Sequence, residues 1–204
     1  MAEVLELVRY PVKGCAGTSV GDTLLTPAGL AHDRSFMVIG EDGVYRTQRR
    51  HPRLALIRPA LAADGWMPGT SGYADSSAVH LLTRSSLALL DQRLAEPLPM
   101  SRFRPNIVVG GDGWAAEPHA EDRARRITID GAELGYAKLA VRCAVTLVDQ
   151  ETGTRQGKEP LRTLASYRRA APLTGSGSWA PGPRTAGGRG RPGARCRVRP
   201  SRTR

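Results

Sequence analysis

The chain has 204 residues, 40% of them hydrophobic but only 5% aromatic, which allows one ordinary domain or two small ones around an aliphatic core. Thirty basic and 19 acidic side chains give a net charge of +11, but residues 171–204 hold eight arginines and no acid. The fold-forming remainder therefore carries 22 basic and 19 acidic groups, net +3, which excludes a nucleic-acid surface spread over the fold.

In chain order the first strand is expected at Val4–Tyr10, stopped by Pro11. A Gly-rich stretch, 14–21, and a turn at Thr26-Pro27-Ala28-Gly29 follow. The runs 35–39 and 44–47 flank Gly40-Glu41-Asp42-Gly43 as a hairpin, and 54–59 reads as a further short strand. Residues 61–75 have little β pattern and read as a loop. Strands are expected at 79–82 and 107–109, with a helix between them over 85–95, capped by Ser85 or Ser86, with Leu87, Leu90 and Leu94 on one face. Two more strands flank the Asp130-Gly131 turn, another covers 140–148, and Pro160 starts a helix through Leu161, Leu164 and Tyr167. Many short strands with few helices predict a mainly β fold of barrel or sandwich type.

The last 34 residues differ in kind, since Gly, Ala, Arg and Pro make up 24 of them. Such a composition offers too little apolar surface to offset ordering entropy, so 170–204 is expected to be disordered. A basic arm for nucleic acid is one reading. The other, preferred, is translation of a shifted frame in GC-rich DNA, because these four residues have G or C in their first two codon positions.

Three cysteines, Cys15, Cys143 and Cys196, do not make a disulfide framework. No apolar run approaches the roughly 18 residues of a membrane span, and the acid-bearing start MAEVLELVRY has no secretory h-region. A cytoplasmic, reducing setting is expected, with no membrane partner. Cys143 lies beside Arg142 in an expected strand. A guanidinium favours thiolate, although adjacent strand residues face opposite ways and a lone strand cysteine is ordinarily a small buried hydrophobe. Cys15 reads as a small loop residue. His32, His51, His80 and His119 are scattered and read as surface or satisfied groups. There is no CxxC, HExxH, GxSxG or Walker pattern. Lys13, Arg34, Ser76, Ser77, Arg104 and Asn106 follow turns and are of types that suit phosphate oxygens.

Tyr10-Pro11-Val12-Lys13-Gly14, Gly29-Leu30-Ala31-His32-Asp33-Arg34 and Thr47-Gln48-Arg49 resemble the N-terminal β-barrel module of MOSC-domain proteins. Phe103-Arg104-Pro105-Asn106-Ile107-Val108-Val109, Arg142-Cys143 with Thr146, Val148-Asp149, Thr152-Gly153 and Pro160–Arg168 resemble the MOSC domain, with the amidoxime-reducing components as the nearest group. The resemblance implies an N-terminal module over 1–72, shortened by several tens of residues near Leu61–Tyr73. It further implies a MOSC domain over 73–169 that lacks its last strands, and a frame-shifted tail from 170. It also implies a molybdenum cofactor, with Cys143 as the metal's thiolate and catalytic residue. Lys13, Gly14 (often Ser in relatives), Arg34, Ser76, Ser77, Arg104, Asn106 and Arg142 are then the cofactor contacts. The expected activity is reduction of small N-hydroxylated substrates, with electrons from a separate ferredoxin- or cytochrome b5-like donor and no nucleic-acid partner. Two alternatives stand beside it: a sulfur carrier using a cysteine persulfide, and a truncated derivative without function. The family also has a general association with pyridoxal phosphate.

Overall fold

The computed structural model describes residues 1–60 and 78–168, together with the backbone of Gly175–Pro181 and Arg195–Arg197. The strands are β1 (Ala2–Arg9), β2 (Val12–Lys13), β3 (Thr18–Val20), β4 (Asp22–Thr26), β5 (Gly29–Leu30), β6 (Phe36–Met37), β7 (Val79–Thr83), β8 (Ile107–Gly111), β9 (Arg126–Ile129), β10 (Ala132–Val141), β11 (Gly175–Pro181) and β12 (Arg195–Arg197). Among the described residues, three short α-helices accompany them: α1 (Arg84–Asp91), α2 (Ala120–Arg123) and α3 (Leu161–Tyr167). The mainly β expectation holds.

Seven strands form one sheet in the order β3-β1-β8-β7-β11-β10-β9. All neighbours are antiparallel except β7 and β8, which run parallel and are joined through α1. The alternation of β7 explains its burial. Val79 and Leu81 face one core cluster with Leu7, Ile107, Val109 and Leu134, while Leu82 faces a second with Leu90, Phe103 and Leu164. His80 shares the face of Leu82, away from the larger core. β1 brings the N-terminal segment against β8, pairing Leu7 with Ile107.

Several local expectations change. Residues 54–59 do not extend; Pro52–Leu56 is a 3₁₀ helix, which suits a proline in its first turn. The 35–47 hairpin closes around the Gly40–Gly43 loop, with the Gly40 N–H donating to the Val44 carbonyl at 3.0 Å, the Arg46 N–H to the Val38 carbonyl at 2.8 Å and an Ile39–Tyr45 bridge, although its only ladder strand is the two-residue β6. The helix begins at Arg84 and ends at Asp91, capped by Thr83, whose hydroxyl accepts from the Ser86 N–H. The expected strand 140–148 stops at Val141, and Ala144–Leu147 is a 3₁₀ helix. There the Thr146 N–H and Oγ1 both donate to the Cys143 carbonyl, turning the chain out of the ladder. The 61–75 loop, Ser76 and Ser77 lie outside the described residues.

Two stretches of the tail are strands where its composition points to disorder. β11 lies between β7 and β10, and β12 pairs with β4. Ladder hydrogen bonds are made by the backbone whatever the side chain, and the Gly/Ser-rich β11 meets the unpaired edges of two formed strands.

Candidate functional site

The site is built around Tyr10, at the end of β1. Its ring is buried, its hydroxyl donates to the Pro105 carbonyl at 3.2 Å, and its N–H donates to Asp33 Oδ1 at 2.8 Å. Burial pushes its phenol up to about 12, against the opposing pull of Arg104 and Arg34. The Arg104 guanidinium lies 4.1 Å from the ring centroid and that of Arg34 lies 5.0 Å away, both within cation–π range.

Arg34 and Arg104 both sit in the left-handed region, with φ of 48° and 54°. Arg34 ends the turn after β5. Its N–H donates to the Tyr10 carbonyl at 2.6 Å, and its guanidinium pairs with Asp33 and donates to Asn106 Oδ1 at 3.2 Å. Arg104 terminates the 3₁₀ helix Met100–Phe103. Its Nη1 donates to Gln150 Oε1 at 3.3 Å, and Gln150 exchanges reciprocal amide hydrogen bonds with Gln48, 3.2 Å each. Burial lowers the Arg104 pKa to about 10, with Tyr10 opposing the shift. It stays charged at neutral pH.

Asn106 is buried and uses both ends of its amide. Its Nδ2 donates to the Val8 carbonyl at 3.2 Å, and its Oδ1 accepts from Arg34 and from the His80 N–H at 3.1 Å. Arg142 donates through Nη2 to the Phe103 carbonyl at 2.6 Å and through Nη1 to His80 Nε2 at 3.2 Å. Burial lowers its pKa to about 10, opposed by Cys143 and Tyr10 and reinforced by the charges of Arg104 and Arg34. Three guanidinium groups accompany the buried Asp33 carboxylate, and with Glu6 also acting on Tyr10 the positive charge still exceeds the negative, a balance that suits an anion.

Cys143 follows Arg142 directly, lies beyond the end of β10 rather than within a strand, and is exposed. Its loop is fixed further on. Buried Arg102 donates to Asp149 Oδ2 at 3.1 Å and to Gln156 Oε1 at 2.6 Å. Asp149 Oδ1 accepts from the N–H groups of Thr152 and Glu151, and these bonds hold its carboxyl below the usual range. Cys15 lies in the loop between β2 and β3, as read, but is fully buried there, and that burial raises its thiol pKa. Lys13 lies on β2 with its ammonium 5.8 Å from the Tyr45 ring centroid. Gly14 adopts φ +83°, so a serine there would be strained although a Cβ has ordinary contacts, 3.5 Å to Leu54 Cδ1 at the nearest. Among the described residues, no cluster of three or more His, Cys, Asp or Glu could hold a metal ion, and no helix is long and apolar enough to cross a membrane.

The structure therefore brings Arg34, Arg104, Asn106 and Arg142 into one hydrogen-bonded network from three distant segments. It joins to them Tyr10, Gln48, His80 and Gln150, which composition alone does not mark. Gln48 stands in the quoted Thr47-Gln48-Arg49 motif, the one sequence signal for any of the last three.

The sheet and this cationic network with a thiol at its margin define a mainly β protein with a cation-rich candidate site. Residues 1–92 match the MOSC N-terminal beta barrel domain and residues 68–203 match the MOSC domain. The chain belongs to the MOSC-domain family. It is 28% identical over 249 aligned positions to mitochondrial amidoxime-reducing component 1 of Homo sapiens, covering 83% of this chain and 73% of that protein. It is 28% identical over 245 positions to mitochondrial amidoxime reducing component 2 of Rattus norvegicus, covering 80% and 71%. Molybdenum cofactor sulfurase of Danio rerio is 25% identical over 254 positions, covering 79% of this chain and 30% of that protein. Alignments longer than the 204-residue chain necessarily open gaps in it.

Proposed function

We propose that this chain binds a molybdenum cofactor and uses it to reduce N-hydroxylated compounds. The observation that carries the reading is the Arg34–Asn106–His80–Arg142 chain of hydrogen bonds ending beside an exposed thiol. The donor set suits such a group: a soft sulfur for the metal, and guanidinium, ammonium and amide donors for a pterin phosphate. Cys143 is the metal ligand. Lys13, Arg34, Arg104, Asn106 and the Ser76–Ser77 pair hold the anionic part, and Arg142 completes the wall next to the thiol. Gln150 and Gln48 keep the Arg104 head group directed, and Asp33 sets the Arg34 turn. When bound, the group supplies two-electron chemistry: an N-hydroxylated substrate, two electrons and two protons give the amine or amidine and water. Electrons come from a separate ferredoxin- or cytochrome b5-like donor, as the amidoxime-reducing relatives suggest by analogy.

Metal analysis of purified protein beside Cys143→Ser tests this. Molybdenum in the first and not in the second is expected, and none in either overturns it.

The similarity to a molybdenum cofactor sulfurase favours a second reading, in which Cys143 carries sulfane sulfur as a persulfide. Mass spectrometry finding 32 Da on Cys143 in molybdenum-free protein, about the mass of one sulfur atom, would select it.

A further inference from the structure

His80 lies on β7, on the sheet face turned away from the Val79 and Leu81 core. Its backbone and ring together touch three of the four residues of the anionic-ligand network. The His80 N–H donates to Asn106 Oδ1, and the His80 carbonyl accepts the Asn106 N–H at 2.7 Å. Its Nδ1 lies 3.3 Å from the Arg104 carbonyl, and its Nε2 lies 3.2 Å from Arg142 Nη1. These partners fix the tautomer. A guanidinium can only donate, so Nε2 is the acceptor; a carbonyl can only accept, so Nδ1 carries the proton. Burial, and next the Arg142 charge, hold the imidazole pKa well below its ordinary value, in keeping with a neutral ring.

We propose that His80 is a positioning residue of the anion site, a neutral Nδ1-protonated imidazole that holds the left-handed Arg104 main chain with one nitrogen and the Arg142 guanidinium with the other. The inference rests on the reading of this site as anion-binding and goes beyond it, because it assigns a role to a residue that meets no ligand itself. The ring spans two cationic residues with opposite demands, a donor for one and an acceptor for the other. Neither lysine, arginine nor a doubly protonated histidine can supply both. Two amides separate the two hands: Asn reaches about as far as Nδ1 and can donate to the Arg104 carbonyl, and Gln reaches about as far as Nε2 and can accept from Arg142.

The test uses the full chain and inorganic phosphate as probe, titrated by NMR. His80→Asn and His80→Gln are each expected to weaken phosphate binding roughly three- to ten-fold, and His80→Leu more than either. In an Arg142→Gln background, His80→Asn is expected to add nothing, because the only contact it removes is already gone, whereas His80→Gln still loses the Arg104 contact and weakens binding further. The imidazole ¹⁵N resonances give the second readout: Nδ1 protonated, Nε2 in the acceptor range, and Nε2 shifted by Arg142→Gln. Equal phosphate affinity in His80→Leu and wild type, an Nε2-protonated ring, or an Nε2 resonance indifferent to Arg142→Gln would overturn the proposal. If wild-type protein binds no phosphate, the anion reading fails by itself. The nitrogen resonances then decide His80: an Arg142-sensitive acceptor Nε2 supports the positioning role, and its absence refutes it.

Discussion

Asn106 Oδ1 accepts from Arg34 Nη1 at 3.2 Å across 72 positions of sequence, and the same oxygen accepts the His80 N–H. One buried amide thereby ties the turn after β5 to the adjacent strands β7 and β8. Replacing it with alanine leaves the Val8 carbonyl, the His80 N–H and one Arg34 donor without their partners. Asn106→Ala is expected to cost about 2–4 kcal/mol. Denaturant unfolding checks it, and a midpoint unchanged from wild type would mean that water replaces the amide without loss.

Cysteine accessibility separates the thiols. Cys143 is exposed and Cys15 is fully buried with a raised pKa. In folded, molybdenum-free protein, iodoacetamide is expected to label Cys143 promptly and Cys15 only after unfolding. Cys15→Ser is expected to cost about 1–3 kcal/mol by burying a hydroxyl, without changing the molybdenum content of the folded fraction. Peptide mapping of labelled protein and metal analysis check the two parts.

Gly17 lies beneath the Tyr10 ring. A Cβ there would sit 2.5 Å from Val8 Cγ1 and 2.6 Å from Tyr10 Cε1. Gly17→Ala must displace the ring that Arg34 and Arg104 face, so a loss of about 1–3 kcal/mol is expected together with weakened phosphate binding. Thermal unfolding and phosphate titration read the two effects. A stable variant that binds phosphate normally would show that the ring does not position the arginines.

The strands at 79–83, 107–111 and around Asp130-Gly131 were legible because alternation, β-branched residues and a turn with positive φ at both positions agree there. The Cys143 environment was not. Val141-Arg142-Cys143-Ala144-Val145 has strand composition, and only the Thr146–Cys143 local bonds divert it. β11 was hidden for the opposite reason: its Gly-Ser-Gly-Ser run has no pattern to read, while its pairing depends on edges that exist only once β7 and β10 have formed. Of the site, Arg34, Arg104, Asn106 and Arg142 were visible through motif resemblance. His80 was not, because its role is set entirely by neighbours from positions 104, 106 and 142.

The last prediction concerns acid stability. Arg168 Nη1 contacts His119 Nδ1 and its Nη2 pairs with Asp122, next to an apolar cleft lined by Leu82, Leu90 and Tyr167. Burial, reinforced by Arg168, lowers the His119 pKa to about 4, and burial raises Asp122 to about 6 even though Arg168 opposes it. The two have opposite linkage signs. Unfolded His119 takes up a proton near pH 6.5 that the folded residue refuses until about pH 4, so its contribution to stability falls on acidification through that window. Asp122 in the folded state takes up its proton near pH 6, whereas the unfolded residue waits until about 3.8, so its contribution rises on acidification over nearly the same window. In wild type these slopes largely cancel between pH 4 and 6. Asp122→Asn is expected to expose the His119 slope, with stability falling as pH drops from 6.5 to 4. His119→Gln is expected to expose the Asp122 slope, with stability rising as pH drops from 6 to 4. Urea midpoints measured across this range decide it: parallel profiles for the two variants would show that the pair does not titrate in opposition.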